Sequence, residues 1–193
     1  MIYAILIGLL LVAGLSVRLY FLKTMLGKTR RLSEGEFLLA FSGLLAQMAM
    51  ADGSVSADEI ETVEKMFADM GLSRAEQAMC VGNFVLVQRE WRDAREFART
   101  LAASLTHVAC RFLYGLVLRV AQADWRIADE EEAMLNAIGV ELGLSDDERA
   151  EFRRGAVPAF DERSLEDAGV PPALVRLGKT TGIKDGGLGI WDR

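Results

Sequence analysis

At 193 residues the chain has room for one domain with a real core plus appendages. Its net charge of −6 is unevenly divided: residues 1–31 hold five basic and no acidic side chains, whereas residues 32–193 hold 17 basic against 28 acidic, a net of −11. A body this acidic excludes nucleic acid as a partner, since that binding depends on neutralising phosphate. Two isolated cysteines, Cys80 and Cys110, form no CxxC pattern, exclude a disulfide framework and read as reduced core thiols.

Residues Met1–Val17 carry no charge. Continuing past Arg18, whose long side chain can reach the headgroups, the apolar stretch extends to Leu22, which supplies the roughly 20 residues that a spanning helix requires. A basic start and a small-residue cleavage site, the marks of a secretory signal, are both missing. The expectation is a retained transmembrane anchor at 1–23, followed by a basic juxtamembrane linker at 24–33. Arg18, Lys23, Lys28, Arg30 and Arg31 all follow the apolar run, which puts them at the membrane interface against anionic lipid and the C-terminal bulk in the cytoplasm. The expected location is therefore the inner (cytoplasmic) membrane, single-pass. Ala4-x-x-x-Gly8 is a small-xxx-small pair that fits a homodimer through the anchor as well as it fits chance.

From Ser33 to about Arg154 the pattern is helical throughout. Phe37, Phe41, Leu44, Leu45 and Met48 share one helical face, and Ile60, Val63, Phe67 and Met70 form a second stripe. Ser-x-x-Glu occurs at Ser33/Glu36, Ser56/Glu59, Ser73/Glu76 and Ser145/Glu148, each opening a periodic stretch, and each predicts a capping box. Between them the spacing predicts helices over about 74–87 and 91–106, joined by a turn at Arg89-Glu90. The domain expected over 34–154 is all-α, with about seven short helices. All three prolines lie beyond Gly155, together with seven glycines from Gly155 to Gly189. The segment 155–193 is thus expected to be a loosely ordered tail, with a short helix near Ala173–Leu177 and Trp191 available to dock on the body.

The helical body repeats itself. Ala49, Ala51, Asp52, Glu59, Gly71, Leu72, Ser73 and Glu76 recur 72 positions later, without a gap, as Ala121, Ala123, Asp124, Glu131, Gly143, Leu144, Ser145 and Glu148. Two copies of one helix–turn–helix unit packed on each other are expected.

The turn Asp52–Glu59 matches the back half of a calcium-binding EF-hand loop: an oxygen ligand, a glycine, an apolar residue and a final glutamate. The front half fails, because Met48 and Met50 would present soft sulfur to a hard cation. Trp125 stands where the second copy needs the glycine. Two readings remain for Asp52, Glu59, Asp124 and Glu131: caps and solvated turn residues, or four carboxylates that converge on one divalent ion if the copies pack with pseudo-twofold symmetry. No cofactor is otherwise implied. His107 is the only histidine and reads as a packed or surface side chain. There is no phosphate-binding glycine loop, since Gly182–Gly189 is followed by no helix. The chain is expected not to be an enzyme.

The run from Leu44 through Asp52-Gly53 to Glu59-Ile60, followed by Gly71-Leu72-Ser73, resembles the TerB-like family, which includes tellurite-resistance proteins and the N-terminal domain of DjlA-type membrane co-chaperones. The resemblance covers about 34–154, with Val120–Asp124 and Gly143–Ser145 similar to the family's second half. It implies an all-helical, internally duplicated domain, a stress-response role with protein partners, and candidate metal ligands at Asp52, Glu59, Asp124 and Glu131. The order of anchor, basic collar and domain also looks like that of DjlA. However, a J domain works through a His-Pro-Asp motif, and His107 is followed by Val108. Co-chaperone activity is therefore not implied.

Overall fold

The structure is a computed structural model and describes residues 32–89, 93–123, 127–155, 162–167 and 170–180. Among the described residues it is entirely helical: α1 (Glu34–Ala49), α2 (Ala57–Asp69), α3 (Arg74–Arg89), α4 (Ala94–Ala102), α5 (His107–Ala121), α6 (Asp129–Glu141), α7 (Asp146–Arg153), α8 (Glu162–Asp167) and α9 (Pro172–Thr180). Seven of these fall within 34–154, as the periodicity predicts.

All four predicted capping boxes form. Ser56 Oγ accepts from the Glu59 N–H at 3.1 Å, and Glu59 Oε2 accepts from the Ser56 N–H at 2.7 Å. The boxes at Ser33, Ser73 and Ser145 repeat the pattern. Each satisfies two groups that a helix start leaves without intrahelical partners.

The duplication sets the architecture. α1, α2 and α3 recur as α5, α6 and α7 with helix starts and ends 72 residues apart, α3 being longer than α7 and α1 matching α5 at its C-terminal end. The repeated helices α1 and α5 are the most deeply buried and pack against each other. α3 and α4 lie against α1, while α2 and α6 both pack on α5. Phe37, Phe41, Leu44, Leu45 and Met48 of the predicted stripe are at most 1% exposed. In the second stripe Val63, Phe67 and Met70 are buried but Ile60 is exposed, and Met66 takes the inward place instead. Helix α2 therefore turns its buried face slightly further along the sequence than the apolar spacing suggests.

Two further expectations need correction. The helix predicted over 91–106 ends at Ala102, and Thr106 is the N-cap of α5, its side chain accepting from the Ala109 N–H. The described part of the tail is also more ordered than expected, although the short helix expected near Ala173–Leu177 is present within α9. Helices α8 and α9 form within it, and Leu165, Val170, Ala173, Leu174, Val175 and Leu177 all join the core. Pro172 does not oppose this, because it occupies the first position of α9, where a helix needs no N–H. The predicted anchor, its basic collar (Arg18, Lys23, Lys28, Arg30 and Arg31) and Trp191 lie outside the described residues. Among the described residues no helix is long and apolar enough to cross a membrane.

Candidate functional site

The acidic turns are built by the helix ends on either side of them. After α1, the Gly53 N–H closes back on Met50 O at 3.0 Å with φ +91°, a conformation open to glycine and strained for most other residues. Asp52 Oδ1 then accepts from the Ser54 N–H at 2.9 Å and from Ser54 Oγ at 3.2 Å, so this exposed carboxylate organises its own turn. Glu59, only 6% exposed, turns back to cap the start of α2.

In the second copy Ala123 N–H returns to Val120 O at 3.1 Å, and α6 begins after Ala128. Glu131, 8% exposed, accepts from the Ala128 N–H at 2.6 Å. Alanine has no side-chain acceptor to return to Glu131, so the second copy keeps half of the box. The first turn of α6 holds Asp129, Glu130, Glu131 and Glu132, whose charge is stabilised by the positive end of the helix dipole.

Of the four carboxylates singled out by the repeat, Asp52, Glu59 and Glu131 are each bonded to backbone N–H groups of their own turn, and Asp124 lies outside the described residues. Among the described residues no three His, Cys, Asp or Glu side chains gather as a metal ion would require. As arranged, Asp52, Glu59 and Glu131 are fitted to backbone amides rather than to a cation. Two of them would have to abandon a helix start to reach one.

A second polar cluster, not anticipated from spacing, joins the start of α5 to the start of α7. His107 Nε2 lies 2.8 Å from Glu148 Oε1, and Arg111 Nε lies 3.3 Å from the same oxygen. Glu148 Oε2 accepts from the Ser145 N–H at 2.9 Å. That backbone bond is the main cause that pushes the Glu148 carboxyl down to about 2, with His107 and the Ser145 hydroxyl adding to it against partial desolvation. His107 is thus a surface side chain paired with a carboxylate. Its bond goes to no hydroxyl or thiol, so the cluster is an interhelical tie rather than a nucleophile–base pair. The only sequence signal for it was the capping box at Ser145, which gives no hint of a partner 41 positions earlier.

Cys80 and Cys110 are buried, and burial pushes both thiols up to about 11. At neutral pH they stay protonated and poorly nucleophilic.

A third feature lies in α9. Arg176 Nε donates to Met70 O at 2.6 Å, where α2 ends, and its side chain passes over Gly71.

A family model described as tellurite resistance protein TerB matches residues 38–154. No curated protein and no solved structure matches the chain.

Proposed function

The chain belongs to the TerB family, and from that premise we propose that it is a membrane-anchored, cytoplasm-facing module, without chemistry of its own, that recruits or senses protein partners in tellurite- or envelope-type stress. The family match carries this reading. The uncharged start Met1–Val17 and the basic residues behind it support the anchor and its orientation, and the acidic body supports protein rather than nucleic-acid partners. The test is tellurite and envelope-stress tolerance in cells lacking the protein. Tolerance lost without the protein and restored by the full chain, but not by a chain whose apolar start is interrupted with charged residues, is the expected result. Unchanged tolerance without the protein would remove the stress assignment.

The alternative is divalent-metal sensing through Asp52, Glu59, Asp124 and Glu131, supported by their recurrence in both copies. It requires Glu59 and Glu131 to release the helix starts they cap, at a cost of about 1 kcal/mol each before any metal bond forms. Calorimetry with calcium, magnesium, manganese and zinc tests it. No heat, or heat unchanged by Asp52→Asn with Asp124→Asn, would eliminate it.

A further inference from the structure

Helix α9 lies beyond Arg154, where the family match ends, yet its Ala173, Leu174 and Leu177 are 0% exposed. What it covers lies inside the matched segment. α9 packs along α2. Beneath Gly178 lies Phe112 of α5, whose ring would be 3.3 Å from a Cβ added there. Arg176 reaches the carbonyl of Met70, at the end of α2, where the last carbonyls of a helix have no intrahelical donor. An apolar stripe plus one directional bond at the end of a groove is the chemistry by which grooves recognise amphipathic helices.

The duplication supplies a second, independent observation. α4 rests on α1 and α6, whereas α9 rests on α2, on its neighbour α8 and, through Gly178, on Leu165 of α8 and Phe112 of α5. Since α1 is the repeat partner of α5, and α2 of α6, the two helices fill equivalent grooves. Each also sends an arginine to the far end of its groove. Arg99 forks onto Glu141, the last residue of α6, at 2.8 and 3.0 Å, and Arg176 bonds to Met70 just past α2. The difference is attachment. α4 is held in the chain between α3 and α5, whereas α9 joins the matched segment at one end only.

We propose that the groove between α2 and α5 is the partner-binding surface of this module, and that α9 is its resident intramolecular occupant. A partner that displaces α9 presents an amphipathic helix with two apolar residues three positions apart, as Leu174 and Leu177 are, and a basic residue beside the last. This rests on the reading of the protein as a partner-binding module and names the surface it uses.

The test titrates a labelled peptide with the sequence of residues 170–180 into the full chain in detergent, native and with Arg176→Ala. Apparent affinity scales with the fraction of chains whose groove is open, and losing one hydrogen bond raises that fraction about fivefold. The peptide is expected to bind the R176A chain about fivefold more tightly than the native chain, and a peptide carrying Leu174→Asp and Leu177→Asp is expected to bind neither. Leu174→Ala, which strips apolar contact from α9 and leaves the walls of the groove intact, serves as a second variant. Binding to these variants no tighter than to the native chain overturns the proposal. The stress-tolerance test above uses the native groove throughout, so its outcome stands or falls separately.

Discussion

In the first copy Phe67 of α2 meets Phe41 of α1 edge-on, with ring centroids 6.5 Å apart. In the second copy the position of Phe67 is Gly139, and the space a ring would occupy is taken by Tyr114 and the stem of Arg149. Tyr114 in turn packs edge-on against Phe152, centroids 5.3 Å apart, at a position where the first copy has Cys80. Large and small side chains have traded places, while the interior remains filled, as close packing demands. The junction after the second helix of each copy, by contrast, is kept. Gly71 and Gly143 both adopt positive φ after the second helix of their copy. Gln77 Nε2 donates to Leu72 O, and Arg149, its equivalent, donates to Leu144 O. At this junction the backbone punctuation outlasts the core shape around it, because a positive φ tolerates few residues and a core tolerates any set that fills it.

The most disruptive way to break this comparison is to exchange the packing choices. Phe67→Ala opens a cavity beneath α1 and is expected to cost about 3–5 kcal/mol. Gly139→Ala drives a methyl into Arg149 and Tyr114 and is expected to cost about 1–3 kcal/mol. Urea unfolding measures both, and equal costs would show that the two interiors are not organised differently.

Glu148 and its equivalent Glu76 separate a cap with a histidine partner from a cap without one. Both carboxyls are lowered, and for Glu148 the value falls to about 2. Because the folded value lies below the ordinary 4.5, the stabilisation is complete above pH 4.5 and is lost as pH falls through about 2. Glu148→Gln is expected to cost about 1–2 kcal/mol at pH 7, with the gap to the native chain closing between those pH values. A gap that persists unchanged at pH 2 would contradict the assignment.

The half box at Ala128 can be completed. Its backbone is already extended, at φ −68° and ψ 159°, as at Ser56. Ala128→Ser is expected to stabilise by about 0.5–1 kcal/mol, and Ser56→Ala to destabilise by about 1 kcal/mol, in the same unfolding measurement.

The smallest effect concerns one repeated position. Ser42 Oγ donates to Leu39 O and accepts from Asn83, whereas the buried Tyr114 hydroxyl makes no hydrogen bond. Removing an unsatisfied hydroxyl relieves its desolvation. Tyr114→Phe is therefore expected to be neutral or to stabilise by under about 1 kcal/mol, and Ser42→Ala to destabilise.

Much of the fold was legible in the sequence because capping boxes are local. Serine and glutamate three apart define a helix start without reference to anything distant, and all four formed. The burial of the first stripe was legible for the same reason. What escaped was settled by tertiary contact. Ile60 faces outward because α2 is rotated by what lies beneath it. The helix Glu162–Asp167 was not anticipated, because its Leu165 orders only by joining the core, whereas the short helix expected near Ala173–Leu177 does form, within Pro172–Thr180. At the acidic turns the partner of Glu59 was readable from Ser56 three positions before it. The partner of Glu131 was not, because Ala128 breaks the signature, and only geometry brings His107 to Glu148.

As proposed, this TerB-family module is held at the cytoplasmic face of a membrane to engage partners there. Fractionation of cells expressing the native full chain tests it most directly. The account predicts that the protein sediments with membranes, resists alkaline extraction, and has its acidic body protected from protease added outside intact spheroplasts. Recovery of the full-length chain in the soluble fraction would contradict it.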